Sequence, residues 1–359
     1  MATTTAPRAT PVVTSAGAVA GRAGVLRRPT GRLLGLLGAL VFLGLLALVS
    51  LAVGSRPVAL VDVVQSFTAF DPTSEEHLVV RSLRVPRTVM AVMVGVALGL
   101  AGALMQGLTR NPLADPGILG VSAGAALAVV LAIFVLGVGS LTGYVWAAFA
   151  GAAVTSVAVY LLGATGRDGA TPVTLALAGA AVTAFLTSLT TAVLLLDVAT
   201  LDVYRFWAVG SVAGRDLTVA AQVAPFLLVG TVVALASGRS LNALSMGDDV
   251  ARSLGARVGL TRVVAAVAVV LLVGGATAAA GPIAFVGLTV PHVARAITGP
   301  DYRWVLAWSA VLAPVLLVVA DVLGRVVAPP GELQVGLVTA VIGAPFFIAL
   351  VRRRGLAQV

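Results

Sequence analysis

Long apolar runs without a charge, separated by short polar segments, make up most of this chain. The first, Leu33–Gly54, has 22 residues and no charged side chain. About 20 helical residues cross a hydrocarbon core of ~30 Å. The run is long for a signal peptide and no clear cleavage site follows, so it predicts a retained first helix.

The same length test predicts ten transmembrane helices and hence an all-α integral membrane protein. Two runs are too long for one helix, and each is divided in two. The predicted spans lie at Leu33–Gly54, Thr88–Thr109, Pro116–Gly166 (two), Gly169–Leu196, Leu217–Gly238, Val263–Ala294 (two), Trp304–Gly324 and Leu333–Val351. Residues 33–354 are the predicted membrane domain, and residues 1–32, rich in Ala, Thr, Pro and Arg, a disordered tail.

The arginines indicate which side each end faces. Ten spans place both termini on one side, and 16 of the 23 arginines fall there too. Such an excess marks the cytoplasmic side. The sequence therefore predicts cytoplasmic termini, a cytoplasmic loop over residues 239–262, and a multi-pass protein of the cytoplasmic (inner or plasma) membrane.

Composition agrees with a bilayer as the main solvent. The chain is 59% hydrophobic and 10% charged, whereas soluble domains carry about 25% charged residues. There is no cysteine, and His77 and His292 lie far apart in sequence, so no metal site is predicted. The arginines behind the net charge of +9 are dispersed between apolar runs, which favours membrane topology over nucleic-acid binding.

The chain contains no lysine; all 23 basic residues are arginine. A Walker A loop places a lysine on the nucleotide phosphates, so a standard ATPase site is excluded. We expect no cofactor on this chain. An ATP-driven role would need ATP and magnesium on a separate polypeptide.

A compact polar segment, Leu241–Arg262, is predicted to form two short helices. Their predicted limits are a Ser240 cap, Leu241–Met246 and Gly247, then an Asp248 cap, Asp249–Leu254 and Gly255. Val250, Leu254 and Val258 would share one apolar stripe. Two interpretations are open: a connector lying on the membrane, or a docking knob for a cytoplasmic partner.

Two stretches interrupt the apolar helices. Gln106–Ala125 contains Pro112 and Pro116, and Gly281–Arg295 interrupts the second half in a comparable place, which suggests two five-helix halves. Non-helical backbone at membrane depth occurs where it is buried in protein or lines a water-filled cavity, and broken helices often mark a transport path. For the first stretch, an ordinary loop is the alternative.

Three arginines lie close together in RSLRVPR, Arg81–Arg87, at the predicted outer end of the second span. Interfacial arginines commonly extend to the membrane surface. A basic outer patch would also suit an acidic partner. Arg325 could join them, although Asp321 lies four residues before it, where a structural ion pair is expected.

Four strings closely resemble, in order, the permease subunits of the ferric siderophore/haem/cobalamin ABC importers (the FecCD/BtuC type). They are LRVPRTVMAVMVGVALGLAGALMQGLTRNPLADPGILGVSAGA, LSMGDDVARSLG, GPIAFVGLTVPHVAR and ELQVGLVTAVIGAPFF. The resemblance covers the chain from about Leu33 to its end. It departs in the long tail, in GDD where GEE or GE is common, and at Pro329 and Pro330.

The resemblance implies a ten-helix subunit that pairs with a second permease, two cytoplasmic ABC ATPase subunits below and an extracytoplasmic substrate-binding protein outside. Residues implied to contact the ATPase are Met246, Gly247, Asp248, Asp249, Ala251, Arg252, Leu254 and Gly255. Those implied to dock the binding protein are Arg84, Arg87 and Arg325. The expected path and helix breaks involve Gln106, Asn111, Pro112, Asp115, Pro116, Gly120, Gly124, Gly281, Pro282, Gly287 and Pro291.

The function expected from residues and resemblance together is import of a ferric siderophore, with cobalamin or haem as alternative cargo. Pairing with an identical or a related permease is left open. An ion-coupled transporter would need ionisable residues deep in the membrane, and the spans are nearly free of them. An intramembrane enzyme would need a second acidic motif or HExxH, and the sequence has neither.

Overall fold

The computed structural model describes residues 24–26, 28–165, 171–329 and 331–353, which form helices with no β-strand among them. The helices are α1 Pro29–Ala52, α2 Leu60–Thr68, α3 Glu75–Leu78, α4 Val85–Leu108, α5 Val121–Leu136, α6 Leu141–Ala164, α7 Pro172–Leu196, α8 Val198–Ala208, α9 Leu217–Ala236, α10 Gly238–Ser245, α11 Asp248–Ser253, α12 Val258–Ala280, α13 Val286–Thr298, α14 Tyr302–Val327 and α15 Val335–Arg353. Most of the predicted tail lies outside the described residues, as do Arg167, Pro330 and Arg354.

Ten of these helices, α1, α4 to α7, α9 and α12 to α15, lie where spans were predicted. Among the described residues, seven helices are long and apolar enough to cross a membrane, and α5 and most of α15 form shorter apolar helices. The interrupted helix α13 has 13 residues. The predicted all-α membrane fold is confirmed, whereas the side that each terminus faces stays a prediction.

The second span begins well before its predicted start at Thr88. α3, a π-helical turn at Val79–Arg84 and α4 form one continuous helix of 34 residues, Glu75–Leu108. Pro86 has no N–H to donate and would disrupt a helix interior. The π turn lies directly before Pro86, where the Val85 N–H donates to the Val80 carbonyl five residues earlier. Such a turn interrupts the regular i to i−4 bonds of a helix, and Pro86, the second residue of α4, follows this interruption.

An additional helix, α8, separates the fifth and sixth spans and was not predicted from apolar runs. Asp197 caps it by accepting a hydrogen bond from the Thr200 N–H at 2.9 Å. The hydroxyl and N–H of Thr200 hold the pKa of Asp197 below its usual value. α8 thus has its own start signal and is not a continuation of α7.

α4 is the central helix of the bundle. Within its most apolar window, 78% of residues are buried, against 6% in α1 and 11% in α7. It contacts α9, α12, α13 and α14, all from the second half of the chain. The two five-helix halves therefore interlock around α4, while α1 and α7 leave most of their surface open to lipid or to another chain.

Three glycines let α4 approach its neighbours at backbone distance. A Cβ on Gly95 would lie 2.5 Å from the Cα of Pro314, and one on Gly99 would lie 2.5 Å from the carbonyl oxygen of Ser309. A Cβ on Gly102 would lie 1.9 Å from the carbonyl oxygen of Gly287. Small residues at such contacts are the usual means of close helix packing in membranes.

Candidate functional site: a polar knob, two helix breaks and an arginine cluster

The loop between α9 and α12 folds into α10 and α11, and these helices with the turn that ends at Gly255 form the knob, residues 238–255. Two helices were predicted here, but both predicted caps were wrong. α10 follows α9 almost directly, so Ser240 lies inside it. α11 follows Gly247, whose φ of 106° turns the chain, and Asp248 is its first helical residue.

Asp248 joins three parts of the chain instead of capping a helix. Arg110, in the turn after α4, donates to its carboxylate, and Arg262 of α12 donates to its Oδ2 at 2.9 Å. Hydrogen bonds between charged groups are stronger than neutral ones, and all three side chains are partly shielded from solvent. The knob is thereby tied to the end of the central helix α4 and to α12.

The free face of the knob combines apolar and charged side chains. Met246, Val250 and Leu254 are exposed, and the exposed pair Asp249 and Arg252 are 3.2 Å apart. The predicted apolar stripe is wrong at its third position, since Val258 is buried in α12. Of the other predicted coupling residues, Ala251 is buried beneath this face and Gly255, with φ of 82°, ends the segment.

The first helix break is held by side-chain caps. The Leu113 N–H donates to Asn111 Oδ1 at 2.9 Å, and the Gly117 N–H donates to Asp115 Oδ1 at 2.7 Å. The second of these bonds starts a 3₁₀ turn, Pro116–Leu119. Gly120, with φ of 68°, then joins the turn to α5.

This break re-enters the bundle rather than lying on its surface. From Gly102, α4 rises about 9 Å further to its end at Leu108. The chain then returns, because a Cβ on Gly287, which packs on Gly102, would lie 3.3 Å from Pro116 Cδ. The 3₁₀ turn is therefore non-helical backbone buried among helices, which supports the re-entrant interpretation over that of an ordinary loop.

Gly124, another predicted break residue, packs α5 on α6, because its Cβ would lie 2.4 Å from the carbonyl oxygen of Gly151. Pro112 is exposed in the turn between Asn111 and Leu113. Neither residue lines the cavities that open beside α4, α9 and α14.

The second break, between α12 and α13, packs on the end of α8. Gly281 has φ of 76°, and its Cβ would lie 2.1 Å from the Trp207 carbonyl oxygen. The Ser211 N–H donates to the Ala280 carbonyl at 2.7 Å. Pro282 follows, and Phe285, with φ of 66°, precedes α13 in a conformation that bulky residues rarely adopt.

Pro291 lies inside α13 and is buried. It cannot donate to the Gly287 carbonyl four residues earlier, and that oxygen is the one approached by Gly102. Nearby, Gln106 of α4 donates to the Leu288 carbonyl at 3.2 Å and accepts from Arg295. Both hydrogen bonds of Gln106 thus join α4 to α13.

At the opposite end of α4, five charged residues form the arginine cluster: Arg84, Arg87, Asp321, Arg325 and Glu332. Arg87 Nε donates to Asp321 at 2.8 Å and its Nη1 to Glu332 at 2.6 Å. Arg325 Nη2 lies 2.9 Å from Asp321, which confirms the expected structural pair.

Oxygen atoms at the end of α1 and in the loop after it accept further hydrogen bonds from the arginine cluster. Arg84 donates to the carbonyls of Leu51 and Arg56, and Arg325 to the carbonyl and hydroxyl of Ser50. All three arginines are buried. The neighbouring Arg81 is exposed and stacks over Phe70 with its guanidinium carbon 4.4 Å from the ring centre.

Four members of these sites were not predicted from the sequence: Arg110, Arg262, Arg295 and Glu332. The position of Arg110 directly before Asn111 and Pro112 indicates a turn, and this was the one available signal for its role. In the part of the chain that is described, no three His, Asp or Glu side chains converge as metal ligands would.

Known proteins are similar to this chain in sequence and in fold. The FecCD transport family matches residues 29–353. "Probable siderophore transport system permease protein YfiZ" of Bacillus subtilis (strain 168) is 46% identical over 81% of this chain and 87% of that protein. The ferric enterobactin transport system permease protein FepD of Escherichia coli (strain K12) is 45% identical over 88% of this chain and 94% of its own length. A solved metal-chelate type ABC transporter in an inward-facing conformation superposes with a TM-score of 0.78 at 27% identity, over 89% of this chain and 98% of the other.

Proposed function

The chain belongs to the FecCD transport family, and we propose that it is the membrane-spanning permease subunit of an ABC importer that moves ferric siderophores across the cytoplasmic membrane. The relatives are named for siderophore and ferric enterobactin transport. Further relatives are named for iron(3+)-hydroxamate and Fe(3+)-citrate import. These names support an iron–siderophore complex over cobalamin or haem as the cargo.

The observation that carries this proposal is the exposed knob in a lysine-free chain. Without a Walker A lysine the motor, with its ATP and magnesium, belongs to a separate ABC ATPase subunit. The knob offers that subunit an apolar face of Met246, Val250 and Leu254 beside the Asp249–Arg252 pair. Since Asp248 ties the knob to α4 and α12, a push on the knob would reach the central helix.

Exchanging the charges of the knob tests this coupling. In the double variant Asp249→Arg/Arg252→Glu, an ion pair three residues apart is kept, so the fold should persist while the surface charge pattern is inverted. We expect ATP-driven uptake of radiolabelled ferric siderophore to fall about tenfold or more, because like charges at an interface cost several kcal/mol. The assay uses a strain that lacks the gene, with labelled cobalamin and haem in parallel.

The matched control is Asp202→Arg/Arg205→Glu, which exchanges an equally spaced, exposed pair on α8. It should transport as the wild type does. Uptake at the wild-type rate by the knob variant would show that the charges of the knob take no part in coupling to the ATPase. If the unmodified protein imports cobalamin or haem and no ferric siderophore, the proposed cargo is wrong and the proposed importer architecture stands.

A second permease subunit would cover α7. Its apolar window is 11% buried, yet it exposes the hydroxyl-bearing Thr187, Ser188 and Thr191 together with Phe185. The equally open α1 exposes only apolar side chains over Leu33–Val49. Ser188 and Thr191 donate to carbonyls of α7 itself at 2.9 Å, which leaves their oxygens as acceptors for a neighbouring helix or for water. We therefore propose that α7 faces the partner and the path between the two subunits.

We propose that the arginine cluster receives a carboxylate of the binding protein through Arg87. Of the two carboxylates on Arg87, Asp321 is 1% exposed and Glu332 is 34% exposed. Glu332 is therefore the partner that an incoming carboxylate can displace. Asp321 would keep Arg87 in place during the exchange.

Glu332→Gln should accordingly strengthen docking of the binding protein, because it removes the competing carboxylate. We expect affinity to rise about threefold at low salt, where exposed charges are less screened, and less at high salt. Surface-plasmon measurements on the permease in nanodiscs give both values. Weaker or unchanged binding would contradict exchange at Arg87.

A further inference from the structure

A cavity of about 490 Å³ opens where α9 ends and α14 begins, next to the knob. It is lined by Leu235, Ala236, Arg239, Arg303, Trp304 and Ala307. One part of the wall is therefore apolar and is formed by residues of the membrane spans α9 and α14. The other part carries two guanidinium groups from different helices.

These two arginines are not neutralised within the described residues. Arg239 and Arg303 are exposed, and neither lies within 4.0 Å of a described carboxylate oxygen. Asp301 precedes Arg303 closely in sequence, but its Oδ1 accepts hydrogen bonds from Asn242 at 2.7 Å and from the Arg303 N–H at 3.0 Å. The cavity therefore has a net positive charge.

The surroundings place the cavity at the level of lipid headgroups. Arg239 lies three residues after the end of a membrane span at Ala236, and Arg303 lies in the first turn of another. Trp304 belongs to a residue type enriched at this interface, and the guanidinium carbon of Arg32 lies 6.0 Å from its ring centre. The arginine distribution assigns this end of the bundle to the cytoplasmic side.

We propose that this cavity binds the phosphodiester headgroup of an anionic phospholipid. Guanidinium groups match phosphate oxygens in geometry and charge, and basic pockets between spans on the cytoplasmic side suit such headgroups. The apolar wall of Leu235, Ala236 and Ala307 receives the start of an acyl chain. A soluble phosphate or an acidic protein segment would make no use of this wall.

The lipid would brace the base of the knob. Arg239 belongs to α10 and Arg303 to α14, so one phosphate between them joins the knob to a core helix from outside. The backbones already meet here, since a Cβ on Gly238 would lie 3.1 Å from the Cα of Arg303. This assignment rests on the membrane orientation of the proposed importer but on neither its cargo nor its motor.

Native mass spectrometry of the full chain, titrated with phosphatidylglycerol or phosphatidylcholine, tests the site. Arg239→Gln/Arg303→Gln should weaken phosphatidylglycerol binding about tenfold and leave phosphatidylcholine binding unchanged. Arg257→Gln/Arg352→Gln removes the same charge from two exposed arginines outside the cavity lining. This control should bind phosphatidylglycerol as the wild type does.

Each other outcome overturns the proposal. Equal losses in both double variants would mean attraction by net charge, and no loss in either would mean an empty cavity. Competition by inorganic phosphate at the same concentration would make it a soluble-anion site. Unchanged lipid binding with loss of the co-purified ATPase subunit would make it a protein contact, and none of these results would bear on siderophore uptake.

A second measurement does not depend on the arginine variants. Phosphatidylglycerol brominated near the headgroup should quench tryptophan fluorescence in nanodiscs more than brominated phosphatidylcholine does. Trp304→Phe should abolish this difference, because Trp207 and Trp308 are buried and Trp146 lies outside the cavity lining. Equal quenching by both lipids would contradict a headgroup-specific site.

Discussion

Asp321→Asn is expected to lower the free energy of unfolding by about 3–5 kcal/mol, the usual cost of breaking a buried ion pair. Asp321 is 1% exposed and lies within hydrogen-bonding distance of Arg87, at 2.8 Å, and Arg325, at 2.9 Å. The variant leaves Arg325 buried without a carboxylate. Unfolding in mixed detergent–SDS micelles measures the loss.

Glu332→Gln is the matched control, since it removes the other carboxylate of the same arginine cluster. Glu332 is 34% exposed, and pairs that water can reach contribute about 0–1 kcal/mol. A loss for Glu332→Gln as large as that for Asp321→Asn would show that burial does not decide the cost. A negligible loss for Asp321→Asn would place the three arginines in contact with water.

Gly102→Ala is expected to lower the free energy of unfolding by about 3 kcal/mol, at the upper end for overpacking, and to reduce transport. The new Cβ would lie 1.9 Å from the carbonyl oxygen and 2.4 Å from the carbonyl carbon of Gly287. Both are backbone atoms that no rotamer change can move. α4 and α13 must therefore separate beside the re-entrant turn at Pro116.

Gly38→Ala is the control within the same chain. Gly38 lies in α1, and a Cβ there would meet nothing within 4 Å. Alanine favours a helix by up to about 1 kcal/mol over glycine, so this variant should be neutral or slightly more stable. Equal stability of the two variants would contradict the close α4–α13 contact.

At the two helix breaks, the sequence predicted where the helices are interrupted but not how deeply the interruption is buried. Prolines and glycines located both interruptions correctly, because each residue restricts or frees its own backbone wherever it lies. The depth of the Pro116 turn could not be predicted, since it depends on contacts with Gly287 and Gly102. The two interpretations of this stretch, a helix break inside the membrane and an ordinary loop, differ only in how deeply the turn lies in the bundle.

For the charged residues, ion pairs within one helix could be predicted from the sequence, whereas pairs between distant parts of the chain could not. The i, i+4 spacing of Asp321 and Arg325 predicted their pair correctly, because helix geometry alone brings such residues together. Asp248 was assigned as a cap from its local context, whereas its partners include Arg110, 138 positions away. From the sequence, Arg84 and Arg87 were predicted to dock a partner protein. The sequence did not show that the carboxylates of Asp321 and Glu332 bind Arg87 within this chain.

The sequence alone was enough to predict the membrane class, the positions of ten helices, the absence of an ATPase lysine and the family resemblance. These follow from composition, run length and short motifs, which need no knowledge of distant contacts. The tertiary structure was needed to show that carboxylates and carbonyls of this chain bind the arginines of the arginine cluster, that the knob is tied to α4, and that a basic cavity opens beside it. Each depends on side chains from separate helices, whose meeting is set by packing of the whole bundle.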